Sequence, residues 1–357
     1  MNRVDVRKTA RKLSNSHTTK TALCGPPTCH SLITCPMDSS EALTPDLRAA
    51  LEGFDREADA IIASFVKPLK AKEPPPVIYH YTNDLGLRGI LETGKIWLTN
   101  IFNLNDPSEL SHGFSLAVKI LNNKAASGQT WSKELAEQLE AFVQRRGIQG
   151  VGHHFVCSFS SCRDDLGQWR AYADNGRGYA LGFDTNALEA AFTNLAELRS
   201  AHLTFRVTYD DAQLEEMHRR IVEKMFEVIT LSAENNLPFT TIQDYLVELS
   251  TSFAACLLRA GLYFKHKAYD NEEEYRFLQL YSHEEPVPDL RLRARPYSLV
   301  KYREFDWRSV APRALKEIVV GPAADYEKVS TFARECLGSF HNGNVGIDGS
   351  KIPYRVV

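Results

Sequence analysis

The run Tyr79-His80-Tyr81-Thr82 is the first of three short polar groups in this sequence whose side chains suit chemistry. Alternation along a strand places His80 on the face opposite Tyr79 and Tyr81. A neutral imidazole donates one hydrogen bond and accepts another, so His80 is a candidate to grip a ligand. A buried histidine that bonds a backbone carbonyl is the competing interpretation, and spacing alone favours it.

The second group combines aromatic, basic and glycine residues at positions 168–178. Trp169 and Tyr172 can stack on a planar ring, and Arg170 can pair with phosphate through two hydrogen bonds. Such a composition suits a nucleotide. The pair Asn175-Gly176 is also a hairpin signal, and a surface turn is the favoured interpretation of that pair.

The third group is the acidic run at positions 272–276, which leads into a predicted strand. If the strand begins at Glu272, then Glu272, Glu274 and Arg276 share one face. Crowding two carboxylates beside a guanidinium shifts their pKa values, and such clusters are commoner at functional sites than elsewhere. A solvated acidic loop explains the run equally well. The sequence lacks a phosphate-binding Gly-Lys-Ser loop, a nucleophile elbow and a zinc-protease helix, which disfavours the common NTPases and hydrolases.

The elements that position these groups follow from the hydrophobic periodicity after residue 76. Helical patterns cluster at residues 212–262, which we interpret as a helical insertion. Strands mixed with clustered helices indicate one α+β domain over residues 77–357 rather than a regular βαβ repeat. Period-two patterns predict its strands at residues 77–81, 96–100, 152–160, 178–183, 203–209, 275–281, 317–320 and, last, at Lys351–Val357.

Two segments precede this domain. Residues 1–42 show no periodicity, and we expect a disordered tail. The cysteines and the histidine at positions 24–35 lack the paired short spacings of zinc sites, so we expect no bound metal. Residues 43–76 combine an amphipathic helix with a proline-rich linker. Packing against the domain is the favoured use of this helix, and homo-oligomerisation is left open.

The composition is that of a globular protein able to bury a core, with 357 residues, of which 43% are hydrophobic and 24% charged. The formal net charge of -3 gives no global reason to expect duplex nucleic acid or an anionic membrane as partner, although it leaves room for a local basic patch. No apolar run reaches the roughly 18 residues of a membrane span. The odd number of cysteines and the lack of a secretory signal predict a soluble protein in the reducing cytoplasm.

Taken in order, these motifs resemble a widespread bacterial domain family of unknown function, over nearly everything after Val77. That family is distantly similar to the ADP-ribosyltransferase superfamily, through a histidine on the first strand, an aromatic or hydroxyl residue on the second and a glutamate on a late strand. The matching motifs are Tyr79–Thr82, Asn105–Glu109, Cys157–Ser160, Gln168–Tyr172, Gly178–Phe183, Phe264–His266, Glu272–Arg276, Gly321-Pro322 and Ser350–Arg355.

The resemblance implies a fold and a set of site residues. The fold is α+β, with a mixed, mostly antiparallel split sheet like that of the ADP-ribosyltransferases and with helical insertions. Glu274 corresponds to the catalytic glutamate, Glu272 completes a Glu-x-Glu pattern, and His80 corresponds to the histidine that grips a ribose of NAD. Either Trp97 or Thr99 stands where the superfamily usually has Tyr or Ser. The residues expected to bind NAD, which is a substrate here, are His80, Tyr81, Thr82, Trp97, Thr99, Trp169, Arg170 and Arg276.

The function that the resemblance implies is transfer of ADP-ribose from NAD to a macromolecule, protein or nucleic acid, or hydrolysis of NAD, in bacterial stress or phage defence. Breaking the nicotinamide–ribose bond builds positive charge on the sugar, as in glycoside hydrolysis, and a carboxylate such as Glu274 stabilises that charge. The alternative is a non-catalytic nucleotide-binding or partner-binding module of a defence or sensor system. A nuclease or other phosphotransfer enzyme that uses His80 with Arg170 is the third interpretation and the least favoured.

Overall fold

The computed structural model describes residues 44–70, 73–104, 108–144, 152–194, 200–234, 239–281 and 286–355. The expected tail at residues 1–42, with its cysteines, lies outside the described residues. The α-helices are α1 Pro45–Lys70, α2 Asp84–Thr93, α3 Ser108–Ala126, α4 Ser132–Gln144, α5 Leu166–Tyr172, α6 Thr185–Asn194, α7 Asp211–Glu234, α8 Phe239–Gly261, α9 Trp307–Val310 and α10 Tyr326–Phe340. The strands are β1 Val77–Thr82, β2 Lys95–Asn100, β3 His153–Ser160, β4 Tyr179–Asp184, β5 Ser200–Arg206, β6 Glu274–Tyr281, β7 Arg291–Arg295, β8 Ser298–Asp306, β9 Leu315–Val320 and β10 Gly346–Gly349. No helix in these ranges is both long and apolar enough to cross a membrane.

All of these strands join one open sheet. Its order is β10-β9-β4-β1-β3-β2-β8-β7, and β6 pairs with β3 and with β5 on a branch from this path. Among the described strands only β9 and β10 pair in parallel, and every other pairing is antiparallel. The predicted α+β class with a mixed, mostly antiparallel sheet is therefore confirmed.

The sheet divides along one edge of β3. On its other edge β3 pairs with β6 over its whole length, from His153 to Ser160. On the divided edge β1 meets β3 only where Tyr79 faces Ser160, and β2 meets it only near Val156. Between these two contacts β1 and β2 leave the backbone of residues 157–159 uncovered. An uncovered strand edge presents backbone hydrogen-bonding groups that a side chain or a ligand can use.

Separate groups of helices cover the two faces of the sheet. Leu278 and Leu280 of β6 lie in a core shared with α1, α3, α4, α7 and α8. Phe277, at the alternate position, lies in the opposite core, shared with α2, α6 and α10. Strand β6 is thus buried on both faces, and its polar residues, Glu274, Arg276 and Gln279, are buried with the rest of the strand.

Helix α1 belongs to the same core as the helices of residues 212–262. Phe54 and Ile61 on its apolar stripe are buried together with Met217 of α7 and Phe253 of α8. The stripe is therefore covered by this chain, and α1 contacts both α7 and α8.

The prediction of a final strand at Lys351–Val357 is wrong for residues 351–355, which form no strand. Pro353 has no backbone N–H to give to a ladder, and β10, Gly346–Gly349, takes the place beside β9 instead. The pair Asn175-Gly176 lies in a 3-10 turn between α5 and β4 with both residues at positive φ, so it forms a turn without a hairpin.

Asp164 ties the segment after β10 to helix α5. Its carboxylate accepts hydrogen bonds from Ser350 Oγ at 2.6 Å, from the Lys351 amide at 2.8 Å and from Trp169 Nε1 at 2.6 Å. Trp169 is fully buried. This junction sets the position of α5 against the sheet.

Replacing Asp164 by Ala is expected to lower the free energy of unfolding by about 1–3 kcal/mol, because the indole N–H of Trp169 is then buried without an acceptor. Urea unfolding followed by circular dichroism measures the loss. Trp169→Phe removes the donor of the same bond, so the double variant should lose less than the two single variants together. Additive losses would contradict the proposed bond.

Candidate functional site

A pocket of about 230 Å³ lies where β1 and β2 separate from β3. Its floor includes the uncovered β3 backbone at residues 157–159, and helix α5 contributes Gln168 and Tyr172 to its wall. The residues predicted from the sequence that line it are His80, Tyr81, Trp97, Thr99, Glu272 and Glu274. Residues almost two hundred positions apart in the chain therefore meet in one cavity.

Four predicted residues do not line this pocket. Trp169 is buried behind it, with its ring edge-on to Tyr81 at 4.8 Å between centroids. Arg170 is exposed on α5, and the Thr82 hydroxyl packs beside Gly86 at the start of α2. Arg276 lies beneath the pocket, where Nη1 donates to the backbone oxygen of Leu262 at 3.0 Å and the rest of the guanidinium faces Glu274.

His80 reaches across the divided edge of the sheet. Its Nδ1 lies 3.3 Å from the carbonyl oxygen of Ser158, and its ring meets Phe159 edge-on. Because a carbonyl only accepts, we assign the proton to Nδ1. Burial lowers the pKa of His80, so the ring is neutral at neutral pH and Nε2 is left as an acceptor. The imidazole thus bonds a backbone carbonyl, as the competing interpretation of the sequence expects, and lines a cavity as well.

Glu274, the first residue of β6, is buried and receives four hydrogen bonds. Oε1 accepts from Ser158 Oγ and from Arg276 Nε, both at 2.6 Å. Oε2 accepts from Arg276 Nη2 at 3.0 Å and from Lys265 Nζ at 3.3 Å. Burial alone would raise the pKa of Glu274, but the charges of Arg276 and Lys265 outweigh it and lower the pKa. The carboxylate is ionised, and its roughly four acceptor positions are all occupied.

Glu272 occupies the last position of the 3-10 turn Lys267–Glu272, two residues before β6 begins at Glu274. The left-handed backbone of Glu273, with φ of 40°, turns the chain between the two carboxylates. Glu272 Oε2 accepts from Lys265 Nζ at 2.6 Å, and Oε1 accepts a longer bond from Tyr172 OH at 3.3 Å. Burial raises the pKa of Glu272 even though Lys265 opposes the shift. Glu272 therefore keeps acceptor positions that Glu274 lacks.

Lys265 joins the two carboxylates. Its side chain is buried, with Nζ 4.7 Å from the centre of the Tyr269 ring. The backbone positions it, because the Lys265 amide donates to Thr208 O at 3.0 Å and fixes the end of α8 beside β5. Sequence reasoning missed this residue as part of the site, although it stands in the Phe264–His266 motif. Lys265 follows the apolar run Leu262–Phe264 and precedes His266 and Lys267, a local pattern that gives no sign of burial.

Ser158 and Arg295 were also missed as site residues. Ser158 accepts from His80 through its backbone and donates to Glu274 through its hydroxyl, so it links the two predicted residues. Arg295 lines the pocket from β7, and its Nη1 donates to Asn103 O at 2.8 Å. Ser158 belongs to the Cys157–Ser160 motif, which was a signal for it. Nothing in the local sequence indicated that Arg295 lies near β3.

One connected series of polar contacts thus runs from β1 to α5. It passes from His80 to Ser158, Glu274, Lys265 and Glu272, and it ends at Tyr172. The two carboxylates in it have pKa values moved in opposite directions, which is the arrangement that separates acid and base roles in enzymes. Within the described ranges no group of three or more His, Cys, Asp or Glu side chains could hold a metal ion.

Comparison with known proteins identifies a family for the central part of the chain. The model of a family described as a protein of unknown function (DUF2971) matches residues 168–277. The matched segment includes Tyr172, Lys265, Glu272 and Glu274. No curated protein and no solved structure matches the chain. Over residues 168–277 the predicted resemblance to a domain family of unknown function is confirmed.

We expect Glu274→Gln to destabilise the fold by about 3–5 kcal/mol at neutral pH, because Arg276 and Lys265 would remain buried without their anion. A carboxylate with a lowered folded pKa stabilises the protein above its ordinary value of 4.5, and this contribution is lost as the pH falls from there toward the lowered pKa. The difference in unfolding free energy between wild type and variant should therefore shrink toward about pH 3.

Denaturant unfolding across this pH range measures the difference. Glu273→Gln is the matched control, since Glu273 is the exposed neighbour of Glu274 and its loss should cost under about 1 kcal/mol. A difference between wild type and Glu274→Gln that does not change with pH would contradict an ionised Glu274.

Proposed function

We propose that this protein uses NAD as a substrate, breaks the bond between nicotinamide and ribose, and passes ADP-ribose to a macromolecule or to water. One observation carries the proposal: His80, Glu272 and Glu274 line the same pocket, and Ser158 and Lys265 connect them. These residue types are the ones that the resemblance to ADP-ribosyltransferases requires.

The reaction needs a carboxylate near the sugar, because positive charge develops at ribose C1′ as nicotinamide leaves with the bonding electron pair. Glu274 has no acceptor position left for a sugar hydroxyl, whereas Glu272 has. We therefore assign the contact with ribose to Glu272. Glu274 acts as a fixed anion that holds Lys265 and Ser158 in place. The raised pKa of Glu272 also makes it the better proton acceptor for an attacking hydroxyl or water.

The remaining lining supplies the binding groups. The unprotonated Nε2 of His80 accepts a hydrogen bond from a ribose hydroxyl. Tyr172 offers a partly exposed ring for the nicotinamide. Arg276 is held by Glu274 and does not line the pocket, so it is not placed to meet the pyrophosphate. A cavity of about 230 Å³ is smaller than a dinucleotide site usually is, so the nicotinamide and its ribose fill it and the adenosine half lies at its mouth.

The four bonds to Glu274 also favour a second candidate, a module of a defence or sensor system that binds a nucleotide without turning it over. A carboxylate whose acceptor positions are all occupied makes a site rigid even if it performs no chemistry. The third interpretation, a nuclease that combines His80 with Arg170, loses support because Arg170 does not line the pocket.

Incubating the purified chain with NAD and a cell lysate, and measuring released nicotinamide, tests the enzyme proposal. Glu272→Gln should lower kcat on the order of a hundredfold, because it removes the charge that faces the developing cation. Glu273→Gln changes the neighbouring exposed carboxylate in the same way and should keep wild-type activity.

Two results would contradict the enzyme proposal. The first is wild-type protein that binds NAD in calorimetry but releases no nicotinamide, which favours the binding module. The second is Glu272→Gln protein with unchanged kcat, which removes Glu272 from the reaction.

A further inference from the structure

The pocket opens onto a sheet face that continues to the edge strand β7. Paired residues of neighbouring antiparallel strands share a face. Thr99 in the pocket wall pairs with Tyr302 of β8, and Tyr302 pairs with Arg291 of β7. Arg293 and Arg295 follow Arg291 at two-residue spacing, so all three arginines lie on the same face as the pocket.

This face carries more positive than negative charge. Across β2, β7 and β8 its ionised residues are Lys95, the three arginines of β7 and two carboxylates, Glu304 and Asp306. Glu304 Oε2 is shared by Lys95 Nζ at 2.9 Å and Arg291 Nη2 at 3.3 Å. Among the residues that the structure describes, Arg293 and Arg295 pair with no carboxylate. Two guanidiniums that share a face and have no paired carboxylate create a binding site for an anion.

Arg293 gives independent support, because its Nε is buried and has no hydrogen-bond partner among the described residues. Its guanidinium carbon lies 5.2 Å from the centre of the Trp97 ring. Burial and the nearby charge of Arg295 both lower the pKa of Arg293. A bound anion beside the guanidinium would offset this repulsion.

An aromatic surface lies beside the arginines. Trp97 is 45% exposed, and its ring packs on Tyr302 with 4.6 Å between centroids. An exposed indole backed by a second ring and a guanidinium is a stacking surface for a base. Proteins bind single-stranded nucleic acids through aromatic rings that stack on the bases and cations that follow the backbone. A duplex hides the faces of its bases from such rings.

We infer that the surface formed by Trp97, Tyr302, Arg291, Arg293 and Arg295, hereafter the arginine face, binds single-stranded nucleic acid and presents it to the pocket as the acceptor. Three arginines repeating along a strand, about 7 Å apart, suit a repeating polyanion better than the single pyrophosphate of NAD. The acceptor role rests on the proposed function, and the binding does not. In the transfer, the bond between ribose C1′ and nicotinamide breaks, its electron pair leaves with nicotinamide, an oxygen or nitrogen of the strand bonds C1′, and Glu272 takes the proton.

Fluorescence anisotropy of a labelled single strand of about 12 nucleotides, as DNA and as RNA, tests binding to the full chain without NAD. Wild type should bind at least one of them. Arg293→Gln should weaken that binding roughly tenfold at about 50 mM salt, and the slope of log affinity against log salt should fall by about 0.7. Lys301→Gln is the matched control and should stay within about twofold, because Lys301 pairs with Leu292 on the opposite face of the same hairpin.

If Arg293→Gln lowers the thermal unfolding temperature, Arg291→Gln replaces it, since the Arg291 side chain is 53% exposed. Three results would overturn the inference. Lys301→Gln could weaken binding of the strand as much as Arg293→Gln does, or a duplex could bind more tightly than the single strand. A dinucleotide could also displace the labelled strand as effectively as an unlabelled strand does. Failure of the enzyme proposal is distinguishable: a chain that binds the strand but never releases nicotinamide with the strand present keeps the arginine face and loses the reaction.

Discussion

The carboxylate of Glu274, buried at the start of β6, is the group on which the site depends. Its ionisation requires the neighbouring cations, because an isolated buried carboxylate would take up a proton instead. Arg276 fixes it from the same strand, and Lys265 approaches from the end of α8. Through Lys265 and Ser158 the same charge sets the positions of Glu272 and of the carbonyl that receives His80. The ionised state of Glu274 thus orders a site whose other members come from different strands and turns.

The place of this cluster in the fold follows from the incomplete pairing of β3. A strand paired on both edges would offer its neighbours no backbone carbonyl. Here β1 pairs with β3 only at Ser160 and β2 only at Phe155 and Val156, so the edge between them, residues 157–159, faces a cavity. Tyr81 OH donates to Cys162 O at 2.9 Å and fixes the chain that crosses the gap. The uncovered backbone groups of β3 and the charged side chains of β6 therefore lie beside the same cavity.

The sequence predicted most of what lies within single elements and less of what long-range packing creates. The alternation at Glu274 and Arg276 was readable, because a strand places such residues on one face. Lys265 and Arg295 were not readable as site residues, since their positions depend on the end of α8 and on a β7–β8 hairpin that local patterns did not reveal. The strand expected at Lys351–Val357 failed at residues 351–355 because the partner that decides that segment's conformation, Asp164, lies far away in the chain.

A crystal structure of the protein with a non-cleavable NAD analogue would show whether NAD binds at the divided edge of the sheet. We expect nicotinamide and its ribose at that edge, with a ribose hydroxyl between His80 Nε2 and a carboxylate oxygen of Glu272, and Glu274 still bonded to Arg276. An analogue bound elsewhere on the surface, or a ribose out of reach of both residues in an otherwise unchanged pocket, would contradict it.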